Sequence, residues 1–198
     1  MATIYDLKPA FQALLRPIVG KLAGRGTTPN QVTWAALGLS VVTGALVACF
    51  PETAWLLLAL PLVLFVRMAL NAIDGMLAKE HDMKSDAGAV LNEIGDVVSD
   101  AALYLPLAMV EGVPALWIVL FVIVGIVTES AGILAATISG ERRYDGPMGK
   151  SDRAFVAGLI ALLLGVGVAP GLWLEILLIA ATAMGVVTVL KRCRGALK

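Results

Sequence analysis

The sequence predicts an all-α, polytopic integral membrane protein with six transmembrane helices and an N-terminal amphipathic surface helix. Hydrophobic residues make up 59% of the 198 residues and charged residues 15%, against about 45–50% and about 25% in soluble domains. Six stretches approach the roughly 20 apolar residues that a membrane span needs. These predicted spans cover residues 31–50, 55–78, 88–110, 115–138, 154–169 and 172–190.

Residues 4–23 precede the first span and carry apolar side chains at helical spacing, interrupted by Lys8, Arg16 and Lys21. This pattern is typical of an amphipathic helix, which can lie on the membrane surface or pack against the protein itself. The sequence leaves both arrangements open. Thr27 or Thr28 suits the N-cap of the first span, and Pro29 suits its first turn.

The basic residues predict how the spans are oriented. Of the fifteen Lys and Arg residues, only Arg67 falls inside a predicted span. The others lie before the first span, after the second, after the fourth and at the end of the chain. Because basic residues collect on the cytoplasmic side, both termini are expected in the cytoplasm, with the protein in a bacterial inner membrane. No basic patch with interleaved aromatic residues indicates nucleic-acid binding.

Polar side chains form a stripe on each of two consecutive spans. Carboxylates within membrane spans are costly and usually mark a functional site. Residues three or four apart share one face of a helix. The second span carries its stripe at Arg67, Asn71, Asp74 and Ala78, and the third carries its stripe at Gly88, Asn92, Asp96 and Asp100.

The segment that joins these stripes, NAIDGMLAKEHDMKSDAGAVLNEIGD from Asn71 to Asp96, resembles the signature of the CDP-alcohol phosphatidyltransferases. That signature reads D-x2-D-G-x2-A-R-x8-G-x3-D-x3-D. Asn71 and Asn92 replace its first and third Asp, and Lys79 replaces its Arg. The matching residues are Asp74, Gly75, Ala78, Gly88 and Asp96. The resemblance implies a single membrane domain of this type over residues 1–198.

The resemblance also implies an activity in phospholipid biosynthesis. A phosphatidyl group would pass from CDP-diacylglycerol or another CDP-alcohol to a hydroxyl acceptor, a small or phosphorylated alcohol, and CMP would leave. Mg²⁺ or Mn²⁺ is the implied cofactor, since hard cations prefer carboxylate oxygens and can stabilise a leaving phosphate. A homodimer in contact with membrane lipid is implied as well.

The family's site residues carry over to named positions of this sequence. Asp96 is expected to be the catalytic base. The metal ligands are expected among Asp74, Asn71, Asn92, Asp96 and, in a shifted register, Asp100. The nucleotide is expected to contact Asp74, Gly75, Ala78, Lys79 and Gly88, and an acceptor phosphate to contact Lys150 and Arg153. Two carboxylates in place of four predict weaker binding of divalent cations.

Other interpretations of the same residues stay open. Asn71 and Asn92 could instead form interhelical hydrogen bonds, in a member that binds lipid or nucleotide without catalysis. Arg67 could neutralise Asp74, and Glu129 could face the helix bundle or an oligomer interface. A small ion-coupled transporter is a further alternative, although the chain has no paired, interrupted half-helices in two matching halves.

Overall fold

The computed structural model describes residues 4–197, with side chains from residue 9 onward. Within this range the chain forms α-helices and one short 3-10 helix, and no strand, so the all-α prediction is confirmed. The α-helices are α1 (Ile4–Gly24), α2 (Pro29–Cys49), α3 (Ala54–Glu80), α4 (Asp86–Tyr104), α5 (Ala115–Ser139), α6 (Lys150–Gly165) and α7 (Leu172–Ala196).

Four of these helices, α2, α3, α5 and α7, are long and apolar enough to cross a membrane. Their outward surfaces carry large apolar side chains, as lipid-facing helices require; examples are Trp34, Leu62, Phe65, Leu116, Ile123 and Leu172. Helix α6 has only 16 residues, and α4 carries four carboxylates in 19 residues. The chain is therefore a helical membrane protein with four spans that length and composition support.

The fourth and sixth helices begin or end away from their predicted boundaries. Helix α4 ends at Tyr104 and a 3-10 helix follows over Leu105–Met109, because Pro106 has no N–H and its ring clashes with the preceding turn. Helix α6 begins at Lys150, four residues before the predicted span. There the Asp152 carboxylate accepts a hydrogen bond from the Gly149 N–H at 2.9 Å, which caps the helix.

The chain divides into two compact units. The first comprises the residues up to Ser40 together with Val63–Ser99, and it contains the predicted site segment. Its apolar core joins α1 to α2 and α3 through Leu15, Val19, Val32, Ile73, Met76 and Leu77.

Helix α1 therefore packs against the protein, which is one of the two arrangements that the sequence left open. Arg16 on this helix forms a double hydrogen bond to the Glu80 carboxylate, at 2.9 and 3.1 Å. This contact raises the pKa of the exposed Arg16 guanidinium above its ordinary value. Leu14 and Ile18 remain 73% and 48% exposed, so the same helix also presents an apolar edge to its surroundings.

The second unit comprises Val41–Leu62 and the chain from Asp100 onward. Helix α5 packs against α7 and the 3-10 helix. Close helix approaches depend on glycine here: a Cβ on Gly185 would meet the Val124 side chain at 2.6 Å, and a Cβ on Gly44 would overlap the Ala102 carbonyl oxygen. Small residues at such crossings are typical of membrane helices, whose packing relies on close van der Waals contact.

Candidate active site

The two predicted polar stripes meet in the first unit. Helix α3 contributes Asn71 and Asp74, and α4 contributes Asn92 and Asp96. Residues 81–85 are all that separates the two helices, so the stripes run antiparallel from a common end. These four polar side chains thus lie on neighbouring helices at the motif positions.

Within this group the amides and carboxylates pair crosswise between the helices. The Asn71 amide donates to Asp96 Oδ1 at 2.9 Å, and the Asn92 amide donates to Asp74 Oδ2 at 3.1 Å. Each asparagine that replaces a motif aspartate therefore binds one of the aspartates that remain. The interhelical hydrogen bonding that the sequence left open for Asn71 and Asn92 is present in the structure.

Arg67 and Thr33 complete the surroundings of the two carboxylates. The Arg67 guanidinium, only 3% exposed, lies 3.3 Å from Asp96 Oδ1 and also donates to the Asp96 carbonyl oxygen at 3.0 Å. The Thr33 hydroxyl of α2 donates to Asp74 Oδ2 at 3.0 Å. Sequence reasoning assigned Thr33 no part in the site and placed Arg67 against Asp74. Arg67 lies four residues before Asn71, and this spacing already placed it on the polar stripe in the sequence.

The electrostatics of this group differ from those of a four-carboxylate site. Asp74 is 4% exposed and Asp96 has 18% of its side chain exposed. One guanidinium offsets part of their charge. Among the described residues, no group of three or more His, Cys, Asp and Glu side chains is arranged to hold a metal ion.

The donor set nevertheless suits a hard cation. Each carboxylate accepts a hydrogen bond from an asparagine amide of the opposite helix, and the carbonyl oxygens of Asn71 and Asn92 take no part in these two bonds. Mg²⁺ and Mn²⁺ prefer such oxygen ligands, and one or two carboxylates are enough for a Mg²⁺ site that includes substrate phosphates. The charge of this group fits one divalent ion better than two.

The predicted nucleotide contacts lie on the ends of α3 and α4 nearest the connecting loop. A Cβ on Gly75 would meet nothing within 4 Å, which leaves its backbone open to a ligand. A Cβ on Gly88 would meet Asn30 Oδ1 at 2.7 Å and Ser85 Oγ at 2.9 Å, so internal packing also requires glycine there. Ala78 is half-buried and Lys79 is exposed.

Asp100, Lys150 and Arg153 belong to the second unit. Asp100 accepts a hydrogen bond from the Arg153 guanidinium at 3.1 Å, and Arg153 also donates to Glu129 at 2.9 Å. Lys150 begins α6 and is half-buried. The roles predicted for these three residues, in metal and phosphate binding, stay predictions. Glu129 faces the helix bundle, which is one of its two expected positions.

Comparison with known proteins matches residues 26–190 to the CDP-alcohol phosphatidyltransferase family. The inner membrane protein YnbA of Escherichia coli (strain K12) is 45% identical over 195 residues, which are 98% of this chain and 96% of that protein. These matches extend over both polar stripes and over most of the helices.

Solved structures of phosphatidylinositol phosphate synthase (PgsA1) from Mycobacterium tuberculosis share the fold. The structure with CDP-DAG bound has a TM-score of 0.76 and 21% identity and covers 92% of each chain. The complex with manganese and citrate has a TM-score of 0.74 and 22% identity, and covers 92% of this chain and 88% of that one.

Proposed function

We propose that this chain, which belongs to the CDP-alcohol phosphatidyltransferase family, transfers a phosphatidyl group from CDP-diacylglycerol or a related CDP-alcohol to a hydroxyl acceptor. The family's activity is phosphatidyl transfer in phospholipid biosynthesis. The observation that carries the proposal is the group formed by Asp74, Asp96, Asn71 and Asn92 at the motif positions of two antiparallel helices.

In the proposed reaction Asp96 is the general base. The acceptor hydroxyl oxygen forms a bond to the lipid-bearing phosphorus of the donor, and the bond from that phosphorus to the CMP oxygen breaks. The hydroxyl proton passes to the Asp96 carboxylate, which Arg67 and Asn71 orient through the hydrogen bonds described above. Asp74, Gly75, Ala78, Lys79 and Gly88 are proposed to hold the nucleotide, with Lys79 as a point charge for phosphate.

Divalent-ion binding is proposed at the same group, with Asp74 and Asp96 as its charged ligands and the carbonyl oxygens of Asn71 and Asn92 as neutral ones. Asp100 is the remaining candidate ligand. A bound Mg²⁺ or Mn²⁺ would supply neutralisation of the pyrophosphate and of the departing phosphate. The manganese complex of the mycobacterial synthase supports this part of the proposal.

The membrane arrangement is proposed to comprise six spans, with α4 and α6 completing the four long apolar helices and α1 on the cytoplasmic surface. The exposed Leu14 and Ile18 support contact of α1 with lipid. Both termini are proposed to be cytoplasmic, in a bacterial inner membrane, because the basic residues fall on alternate connections. The similarity to an inner membrane protein supports the location. A homodimer is proposed on the family resemblance.

A second candidate function is binding of nucleotide or lipid without turnover. The crossed amide–carboxylate pairs favour it, because they satisfy both carboxylates with protein donors and leave less need for cations. In this case CDP-diacylglycerol would bind while CMP would not be released.

The test is CMP release by the purified protein in nanodiscs, with CDP-diacylglycerol, Mg²⁺ or Mn²⁺, and a panel of acceptors. The panel comprises glycerol, glycerol 3-phosphate, inositol, inositol phosphate, serine and phosphatidylglycerol. Release that requires both the metal and one acceptor would establish the transferase and identify its product. Binding of CDP-diacylglycerol without release for any acceptor would establish the second function instead.

A further inference from the structure

One oxygen of the Asp96 carboxylate is occupied by two donors from α3. Asp96 Oδ1 accepts hydrogen bonds from the Asn71 amide at 2.9 Å and from the Arg67 guanidinium at 3.3 Å. All three residues belong to the first unit. A carboxylate has about four lone-pair sites on its two oxygens, so the protein uses both sites of this oxygen. Asp96 can therefore offer at most its Oδ2 atom to a metal ion.

One oxygen of the Asp74 carboxylate is occupied in the same way, by two neutral donors. Asp74 Oδ2 accepts hydrogen bonds from the Thr33 hydroxyl at 3.0 Å and from the Asn92 amide at 3.1 Å. These residues also lie in the first unit. Asp74 can therefore offer at most its Oδ1 atom. With one oxygen from each of two carboxylates, the motif positions provide charged ligands for a single divalent ion.

Arg67 places a fixed positive charge on the Asp96 side of the site. Its guanidinium is 3% exposed and also donates to the Asp96 carbonyl oxygen at 3.0 Å, so two contacts hold it beside this residue. An ion bound to Asp96 Oδ1 at about 2.1 Å would lie within about 5.4 Å of the Arg67 nitrogen. Two cations this close repel each other strongly at a buried position, and a guanidinium does not lose its charge.

A guanidinium can do part of the electrostatic work of a metal ion in phosphoryl transfer. In two-metal sites the ions lie about 3.5–4 Å apart and stabilise the attacking and the leaving oxygens. Arginine side chains stabilise the same developing charges in other enzymes. Here Arg67 contacts Asp96, the proposed base for the attacking hydroxyl, whereas Asp74 directly precedes Gly75, a proposed nucleotide contact. The two ends of the reaction thus have different sources of positive charge available.

We propose that Arg67 takes the place of one of two catalytic cations, so that the site binds a single divalent ion through Asp74 Oδ1 and Asp96 Oδ2. This inference deepens the proposed phosphatidyl transfer and rests on it. The other interpretation of Arg67 is an ion pair that only stabilises the helix packing. The two interpretations differ in what the removal of Arg67 does to metal binding.

The test counts Mn²⁺ bound to the full chain in phosphatidylcholine nanodiscs, without CDP-diacylglycerol, because its pyrophosphate would bind the metal itself. The EPR signal of free Mn²⁺ gives the number and the affinity of bound ions, and binding that Asp74→Asn retains is subtracted. We expect a single ion for the wild type and for Arg67→Lys, which keeps the charge. Arg67→Met should bind Mn²⁺ about tenfold or more tightly, because a neighbouring positive charge is removed.

The matched control is Arg192→Met. Arg192 is a buried arginine of the second unit, 2% exposed, and it donates to the Thr128 carbonyl oxygen at 2.6 Å. Both Met variants should melt at a lower temperature than the wild type without metal, because each loses a buried, hydrogen-bonded charge. Mn²⁺ should raise the melting temperature of Arg67→Met more than that of Arg192→Met, since only there does the ion replace the missing cation. A purely structural Arg67 predicts equal responses.

A second arm restores the carboxylates of the motif. Asn71→Asp combined with Asn92→Asp should still bind one ion while Arg67 is present, and adding Arg67→Met should give two ions with a spin-coupled Mn²⁺ spectrum. Any number of ions other than one in the wild type, or unchanged Mn²⁺ affinity in Arg67→Met, would overturn the inference. If Arg67→Met fails to fold, two ions in the wild type or in the double Asp variant would still overturn it.

These readouts do not need turnover. A chain that binds one Mn²⁺ and gains affinity in Arg67→Met, but releases no CMP with any acceptor, would contradict the proposed transferase and keep the single-ion site. A chain that releases CMP and binds two ions would do the reverse.

Discussion

At the scale of single residues, the crossed pairs are the main departure from the family's motif. Four carboxylates close together repel one another unless cations lie between them. Here Asn71 and Asn92 remove two of those charges and supply N–H donors to Asp96 and Asp74. The two helices are therefore joined at the site by hydrogen bonds that need no cation.

Restoring the two missing carboxylates should raise the affinity of the site for divalent cations and lower its stability without them. We expect Asn71→Asp combined with Asn92→Asp to tighten Mn²⁺ binding by about tenfold or more, because two further charges face the ion. The same double variant should melt at a lower temperature without metal and recover when Mn²⁺ is added. Isothermal titration and thermal denaturation measure the two effects, and each single variant should show an intermediate change. A flat affinity in the titration would show that these positions do not bind the ion.

Sequence reasoning located the polar residues of the site but could not pair them. The spacing of three and four places Asn71 with Asp74, and Asn92 with Asp96, on common helix faces. Which amide meets which carboxylate depends on how α3 and α4 cross, and local periodicity does not contain that information. The same limit hid the contact of Arg67 with Asp96 and of Thr33 with Asp74.

At the scale of elements, apolar periodicity predicted the helices well and their ends less well. The boundaries of α2 and α3 lie within about two residues of the predicted spans, which is the usual uncertainty of such boundaries. Helix α4 ends before its predicted boundary because of Pro106, and α6 begins before its predicted boundary because of the Gly149–Asp152 cap. Apolar periodicity does not reveal either local effect. The sequence analysis assigned Glu129 no specific role, because the arginines that contact it come from other parts of the sequence.

Glycine at a helix crossing supplies a test of the packing. Gly44→Ala should destabilise the protein by about 1–3 kcal/mol or more, because the added methyl group would overlap the Ala102 carbonyl oxygen. The matched control is Gly38→Ala on the same helix, where a Cβ would meet nothing within 4 Å. Thermal denaturation in detergent compares the two. Equal melting temperatures for the two variants would contradict the close approach of α2 and α4.

At the scale of the whole molecule, the proposed six-span arrangement fixes the side of the membrane on which each cysteine lies. Cys49 and Cys193 are both exposed free thiols, at the ends of α2 and α7. We expect a membrane-impermeant maleimide to label Cys49 from outside intact spheroplasts and to label Cys193 only after permeabilisation. Cys49→Ser and Cys193→Ser variants assign each signal. Labelling of both cysteines from the same side would contradict an even number of spans between the termini.

The account centres on Asp96 as the base of a phosphatidyl transfer, so its removal is the most direct test. Asp96→Asn keeps the size of the side chain and its contact with Arg67, but it cannot accept the hydroxyl proton. We predict that CMP release falls by about 10²–10⁴-fold, while CDP-diacylglycerol binding measured without divalent cations changes little, with the exposed Asp82→Asn as the control. Unchanged CMP release by Asp96→Asn would contradict the account.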